Sequence, residues 1–185
     1  MTDHELERRH ARRRLLQAVG ALGVGAGLGV AAVWTLRDPP HAEEMVREAA
    51  VAHAVYSPEM RHPVEVLAAE KGHLQTWLSK RLGMKVEVPD LERVGLSLVG
   101  GRLLPGKSRP VAMLMYQARD GRRASLHWVP DFARARETAL LYAQEHNVRV
   151  FYWLDHECGY ALASHEIPKE ELARIAATAH ELLEK

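Results

Sequence analysis

Four consecutive residues that could bind a metal ion or transfer protons occur at Asp155, His156, Glu157 and Cys158. Carboxylate, imidazole and thiolate groups are the usual protein ligands of zinc and other transition metals. Neighbouring side chains diverge in an extended or turn backbone, so a metal site here would need further ligands from elsewhere in the chain. We therefore interpret this stretch as a polar hairpin tip, with metal binding as the alternative.

The 11 histidines of the chain suggest an acid or metal sensor, because histidine changes its charge near neutral pH. His53 lies on an apolar helical stripe, which favours a packed or interface residue over a metal ligand. The histidines considered share no common spacing; they are His53, His62, His73, His127, His146 and His165. This scatter favours separate structural roles over one sensor site.

Cys158 is the only cysteine of the chain, so an intrachain disulfide is impossible. A nucleophilic pair of Cys158 with His127 or His156 would lack an orienting third group that the sequence identifies. The chain also has no glycine-rich phosphate loop and no GxSxG, CxxC or HExxH motif. We expect no enzymatic activity, no cofactor, and no catalytic, cofactor-binding or metal-ligating residue. Cys158 is interpreted as an incidental turn residue.

The aromatic run Phe151, Tyr152 and Trp153, together with Trp128, is typical of the core of a β-sheet. The alternative is a pocket under this sheet for a small lipid or a partner peptide. Both interpretations require strands that carry these residues.

Residues 15–36 form an uncharged apolar stretch of 22 residues. As a helix it would reach roughly 33 Å, against a hydrocarbon core of about 30 Å. Five arginines precede it within residues 8–14, whereas Arg37, Asp38, Pro39 and Pro40 follow it. This bias predicts a single transmembrane helix with a basic cytoplasmic tail at 1–14 and the rest of the chain outside the cytoplasm.

An export signal is the alternative interpretation of this stretch. Arg12, Arg13 and two leucines resemble the twin-arginine pattern, and the following core is rich in glycine. A small-x-small cleavage site does not directly follow it. Gly25 and Gly29 have the spacing that permits close contact of two helices, and so allow a homodimer.

Residues 38–185 carry 19 basic and 21 acidic side chains, which argues against a nucleic-acid-binding surface. The length allows one folded domain of ordinary size. We predict a linker and amphipathic helix over 37–60 and an α+β domain over 61–185.

Helical periodicity recurs in four parts of this region. The first helix has the stripe Ala42, Met45, Val46, Ala49 and Ala50. The second is predicted from Leu67 to Leu82, with Gly83 ending it. A third is predicted over 134–146, and a last helix after Pro168 has the stripe Leu172, Ile175, Ala176, Ala179 and Leu183.

Strand-like runs cover 94–104, 111–119, 122–129, 148–154 and 160–164. Asp120 and Gly121 predict a tight hairpin, and Gly100 with Gly101 predicts a turn or a bulge. The expected fold class is α+β: one transmembrane helix, then a mostly antiparallel sheet of about five strands packed against helices.

Several separated phrases resemble the exterior domain of the transmembrane anti-sigma factors of proteobacteria. They are AHAVYSPEMRHPVEV, HLQTWLSKRLG, LVGGRLLPG, FYWLDHECGYALAS and IPKEELARIA. The resemblance runs from about Ala42 to Lys185, with one predicted span before it. In that family a cytoplasmic N-terminal domain, sometimes with a His and Cys zinc site, holds an extracytoplasmic-function sigma factor. Only 14 residues precede the span here, without an HxxxCxxC pattern, so the sigma-binding domain is expected to be missing.

The resemblance implies a single-pass regulator of the inner membrane. Its N-terminus would be cytoplasmic, and its periplasmic domain would sense or relay an envelope signal to transcription. The implied partner is an extracytoplasmic-function sigma factor, with no direct contact to nucleic acid. The alternative function is a soluble periplasmic binding protein exported by a twin-arginine signal.

Overall fold

The computed structural model describes residues 41–130, 132, 137–155 and 158–184, which belong to one compact unit. The helices in these residues are α1 (Ala42–Tyr56), α2 (Lys71–Leu82) and α3 (Lys169–Leu183). The strands are β1 (Val66–Leu67), β2 (Leu96–Leu104), β3 (Val111–Ala118), β4 (Arg123–Pro130), β5 (Leu141–Glu145), β6 (Val148–Leu154) and β7 (Cys158–Ser164). Short 3₁₀ turns occur at Ala68–Glu70 and Glu92–Val94.

These strands form one antiparallel sheet in the order β1-β2-β3-β4-β7-β6-β5. The hairpin predicted at Asp120 and Gly121 is confirmed, since it joins β3 to β4. β4 then pairs with β7, so that Trp128 lies opposite Tyr160. This non-sequential neighbour brings two distant parts of the chain together at the centre of the sheet.

Each face of the sheet is covered by different helices. α1 packs on one face, against residues of β4, β6 and β7. α2 and α3 pack on the other face, where the larger apolar core lies. Because successive side chains of a strand point to opposite faces, β4 directs Ser125 and His127 towards α1 and Leu126 and Trp128 towards the larger core.

The helices follow their apolar periodicity closely. The stripe predicted for α1 is confirmed, since all five of its residues are buried, and His53 is buried beside them. α2 begins at Lys71 and not at Leu67 as predicted, because Leu67 pairs with Gly100 as part of β1. Its end is as predicted, since Gly83 with a left-handed backbone (φ 70°) caps it. In α3 the predicted residues Leu172, Ile175, Ala176 and Ala179 are buried, while Leu183 is only partly buried.

A bulge in β2 adapts the sheet to the short edge strand β1. The register of β2 shifts between Leu98 and Gly100, and Gly100 has a φ of 154°. A Cβ atom on Gly100 would lie 2.2 Å from the carbonyl oxygen of Val66. Of the turn or bulge predicted at Gly100 and Gly101, the structure therefore has the bulge.

The expected fold needs correction in its sheet and its helices. The sheet has seven strands rather than about five. The helix predicted over 134–146 is wrong, because residues 141–145 form β5 and Tyr142 pairs with Phe151 of β6. His146, with a φ of 53°, lies in the turn between β5 and β6. The hydrogen bonds of β5 to β6 outweigh the weak helical periodicity of this segment. Residues 134–136 are outside the described residues.

The single transmembrane helix of the expected fold is also not supported. None of the helices in the described part of the chain is long and apolar enough to cross a bilayer. The longest, α1 and α3, have 15 residues each, so they extend about 22 Å against a hydrocarbon core of about 30 Å. Residues 15–36, to which the prediction referred, and the tail at 1–14 lie outside the described residues.

Candidate functional site

The structure describes two of the four members of the predicted polar cluster at 155–158. Asp155 follows β6 and Cys158 begins β7, whereas His156 and Glu157 are not among the described residues. The Asp155 carboxylate accepts hydrogen bonds from the Cys158 backbone N–H (2.8 Å) and the Tyr160 hydroxyl (2.9 Å). A group of three or more potential metal ligands is not found in the part of the chain that is described. Asp155 thus closes the β6–β7 turn.

Cys158 is a buried strand residue and not the turn residue expected from the sequence. Its thiol donates a hydrogen bond to the carbonyl oxygen of Val129 over 3.3 Å. Burial, together with the negative charge of Asp155, raises the pKa of the thiol. Cys158 belongs to the core that packs on α2 and α3, whereas His127 faces α1, so the sheet lies between them.

The aromatic residues named from the sequence divide between the two faces. Trp128, Phe151 and Trp153 belong to the larger core, whereas Tyr152 packs on the α1 side. The expected core role is confirmed for them. Trp128 and Trp153 in addition line a cleft, which the sequence analysis considered only as an alternative.

This cleft has a volume of about 650 Å³ and lies between the sheet and the end of α3. We call it the aromatic cleft. Its apolar lining includes Trp128, Trp153, Tyr160 and Leu183. The Trp153 and Tyr160 rings are stacked at 5.0 Å with an interplanar angle of 11°, and the Trp128 ring meets Tyr160 edge-on at 4.7 Å. A volume of this size suits a small organic ligand.

The polar lining of the aromatic cleft carries charges of both signs. Among the described residues its charged members are Lys85, Glu87, Glu137, Asp155 and Glu184. Lys85 forms an ion pair with Glu87, and His180 lies 3.2 Å from the Glu184 carboxylate. Burial and the charge of Asp155 raise the pKa of Tyr160, so this phenol stays neutral.

One buried hydrogen-bond donor, on a residue that lines the aromatic cleft, has no acceptor among the described residues. Trp128 is 3% exposed, and its indole Nε1–H finds no acceptor among the described residues. Burying an N–H group without a partner costs about 1–3 kcal/mol. An acceptor supplied by a ligand would remove this cost.

A second polar arrangement lies on the opposite face, between α1 and the sheet. His53 Nδ1 is 2.9 Å from the Ser125 hydroxyl, which is in turn 2.9 Å from His127 Nε2. His53 Nε2 is 3.1 Å from His165 Nδ1. We call these four residues the histidine chain. A neutral imidazole has one donor and one acceptor, so the chain can be satisfied without any charge.

Burial controls the protonation of the histidine chain. Burial and, to a smaller extent, the neighbouring His165 and His127 lower the pKa of His53 to about 3. Burial alone lowers the pKa of His127 to about 3. Both rings are therefore neutral at pH 7. The other histidines considered from the sequence, His62, His73 and His146, are exposed and outside this arrangement.

No family model matches this chain. Comparison with curated proteins and with solved structures likewise gives no match. The resemblance to transmembrane anti-sigma factors stays a prediction from the sequence phrases.

The histidine chain and the role of Ser125 in it were not predicted from the sequence. The sequence does contain one indication of a buried polar face, because polar residues occupy alternate positions of β4 at Arg123, Ser125 and His127. Alternation in a strand indicates one polar face, and here that face is buried. The partner positions on α1 and after β7 could not be read from spacing.

Proposed function

We propose that residues 41–185 form the signal-receiving domain of a regulatory protein of the anti-sigma type, which binds a small molecule in the aromatic cleft. The observation that carries this proposal is the cleft with its unpaired donor at Trp128. The sequence phrases that resemble anti-sigma factors support the regulatory part. Binding, and not a chemical reaction, is the proposed activity.

Strand β4 offers a route from the aromatic cleft to α1. Trp128 lines the cleft, and the preceding residue, His127, belongs to the histidine chain that contacts α1. A ligand that shifts β4 would therefore change the packing of His53 and of α1. A ligand acts in this way only if it binds the two arrangements with different affinity. α1 begins at Ala42, two residues after Pro40.

The proposed partner is an extracytoplasmic-function sigma factor, contacted through residues before α1 or through an associated protein. The proposed site of action is the outer side of the inner membrane, as predicted from the charge distribution before residue 40. We also propose a homodimer, because the spacing of Gly25 and Gly29 would permit close contact between two helices. Cell fractionation and protease accessibility of the native protein test the localisation.

The functional test replaces Leu183, a partly buried residue that lines the aromatic cleft, by tryptophan. Leu183→Trp fills the cleft without creating a hole in the core. Leu182→Trp is the matched control, since Leu182 is also partly buried but does not line the cleft. Each variant replaces the chromosomal copy in the native host, and transcripts are compared with those of the parent and of a strain lacking residues 61–185.

We expect the deletion and Leu183→Trp to change the same discrete set of transcripts, and Leu182→Trp to leave it unchanged. A shared promoter element would identify the sigma factor. Unchanged transcripts in the deletion strain would refute the regulatory proposal. A response to the deletion but not to Leu183→Trp would refute the role of the cleft.

The second candidate is a soluble periplasmic binding protein, which the same cleft favours. It would be exported by a twin-arginine signal and would act without a sigma factor. Intact mass distinguishes the two, because a soluble exported form several kDa below 20.8 kDa would indicate a removed signal. Recovery of the 20.8 kDa chain with the membrane would favour the regulator.

A further inference from the structure

An apolar groove lies beside α1, on the sheet face that Ser125 and His127 share with this helix. It has a volume of about 360 Å³ and is bounded by α1 and by residues of β2, β3 and β4. Val51 and Val55 belong to its wall on α1, and Leu104, Val111 and Val129 to its side on the sheet. We call it the α1 groove. We propose that it receives the α1 helix of a second copy of this chain, so that two copies form a symmetric dimer.

Two apolar side chains at the rim of the α1 groove are open to solvent. Val51 is 58% exposed and Val55 is 57% exposed, and the two lie one helical turn apart on the same side of α1. Single exposed apolar side chains are common on protein surfaces, whereas an exposed pair beside an apolar groove is typical of an interaction site. The small side chains of Ala52 and Ala54 lie between them in the sequence and would let another helix approach closely.

The sheet leaves room for a further helix on this face. Of the described helices, α1 packs here, whereas α2 and α3 pack on the other face. A helix is about 10 Å wide and strands are about 4.8 Å apart, so one helix covers about two strands. The sheet has seven strands, and the α1 groove lies on the side of α1 towards β2 and β3. A helix lying beside α1 therefore suits the groove.

The charges of the α1 groove favour a second copy as the source of this helix. Arg47 and Glu48 line the groove one turn before Val51. Neither has an ion pair among the described residues, although Glu44, one turn earlier, pairs with Lys107. A twofold axis brings residue i of one copy to residue j of the other, and j to i. Adjacent charges of opposite sign are then self-complementary, because Arg47 of each copy can pair with Glu48 of the other.

The exposed ridge and the groove that accepts it also occur on the same molecule. In a symmetric pair, Val51 and Val55 of each copy would cover Leu104 and Val111 of the other. This contact is separate from the helix contact that the spacing of Gly25 and Gly29 would permit. It extends the proposed homodimer to the described residues, and it depends neither on the aromatic cleft nor on the regulatory proposal.

Capture of one tagged copy by another tests the dimer. Two full-length chains with different C-terminal epitope tags are produced together in the native host. An antibody to the first tag collects the chain, and the amount of the second tag in the collected material measures the dimer. Thermal unfolding of each variant verifies that its fold is kept.

We expect Val51→Ser combined with Val55→Ser, in both tagged chains, to reduce the captured second tag about tenfold. Serine and valine have similar helix propensities, so α1 should be kept. Met60→Ser combined with Leu67→Ser is the matched control, because Met60 and Leu67 are also exposed apolar residues but do not line the α1 groove. This control should leave capture unchanged.

The charges allow a sharper test. Arg47→Glu leaves two adjacent acidic residues, and Glu48→Arg leaves two adjacent basic ones, so each variant placed in both copies should reduce capture about fivefold. Arg47→Glu on one tagged copy with Glu48→Arg on the other should restore capture to the parent level. The double variant in both copies should restore it as well. A foreign partner in the groove would produce neither restoration.

Absence of the second tag after capture of the parent chain would overturn the proposal. Parent-level capture by the chain that carries both valine substitutions would place the dimer contact elsewhere and would also overturn it. Loss of capture in both charge variants without restoration on mixing would overturn the pairing of Arg47 with Glu48 and, with it, the second copy as the occupant. The proposed regulatory function would still be decided by the transcript comparison of Leu183→Trp with Leu182→Trp.

Discussion

His53 and Ser125 are 72 residues apart in the chain, yet His53 Nδ1 lies 2.9 Å from the Ser125 hydroxyl oxygen in the buried contact between α1 and β4. His127 and His165 extend this contact on either side. The ionisable groups around it are Arg123 and His127 on β4, Arg149 on β6, and His165 and Glu166 after β7. A proton added to His53 would therefore enter a buried site with two other histidines.

The first prediction concerns how the free energy of unfolding depends on pH. The pKa values of His53 and His127 are about 3 in the folded protein, below the ordinary histidine value of 6.5 that applies to the unfolded chain. The unfolded chain therefore binds more protons below pH 6.5, and the stabilisation present above pH 6.5 is lost as the pH falls towards 3. Each histidine contributes a slope of up to about 1.4 kcal/mol per pH unit.

Denaturant unfolding between pH 7.5 and 4.5 measures this slope. The carboxylates of Glu59 and Asp120 also have a lowered pKa, but their ordinary values are 4.5 and 3.8, so they add little to the pH dependence in this range. His53→Gln should be less stable at pH 7.5 and should have a flatter pH dependence. The exposed His73→Gln should behave like the parent. A free energy of unfolding that does not change from pH 7.5 to 4.5 would contradict the prediction.

The second prediction concerns Arg123, which holds the segment after α1. Its guanidinium Nη1 donates to the carbonyl oxygens of Ser57 and Glu59, each over 2.7 Å, and its Nε donates to Gln117 over 3.0 Å. A lysine has a single compact ammonium group and cannot reproduce these directions. Arg123→Lys should lower the free energy of unfolding by about 1–3 kcal/mol.

Arg119→Lys is the control for Arg123→Lys, because Arg119 is exposed at the end of the same hairpin. It should change stability by less than about 0.5 kcal/mol. Equal effects of the two substitutions, measured by denaturant unfolding, would show that the Arg123 hydrogen bonds do not stabilise the domain.

The third prediction concerns the reactivity of Cys158. The thiol is buried and its pKa is raised, so little thiolate is present and reagents cannot reach it. A disulfide reagent should react at least about a hundredfold more slowly with the native chain than with the chain unfolded in guanidinium. Similar rates in the two states would contradict the buried placement of Cys158.

The fourth prediction compares two glycines. A Cβ on Gly159 would lie 2.5 Å from the Met45 sulfur and 2.7 Å from the Phe132 ring, between β7 and α1. Gly159→Ala should therefore destabilise by about 1–3 kcal/mol. Gly72 lies in the first turn of α2 with no atom within 4 Å of such a Cβ. Gly72→Ala should instead stabilise by about 0.5 kcal/mol, and thermal unfolding of both variants checks the opposite signs.

Much of the secondary structure could be predicted because it depends on local signals. The stripe of α1, Gly83 after α2 and the Asp120-Gly121 turn each act within a few residues. β5 could not be predicted in the same way, because Tyr142 has helical spacing to earlier alanines and becomes a strand residue only by pairing with Phe151. Edge strand β1 has two residues, too few for a periodicity.

The candidate sites could be predicted only in part. The aromatic residues Trp128 and Trp153 were named from the sequence, but their association with Tyr160, His180 and Leu183 in one cleft depends on the packing of α3 on the sheet. The four residues of the histidine chain come from α1, β4 and the segment after β7, and share no spacing.

The sequence by itself determined the helical stripes of α1 and α3, the β3–β4 hairpin and the apolar character of the central strands. These features follow from the periodicity of the backbone and from turn residues, which act over short distances. The tertiary structure alone decided that β4 lies beside β7, and with it which residues meet in the aromatic cleft and the histidine chain. The reason is that strand order depends on burying the whole apolar surface at once, which no local pattern encodes.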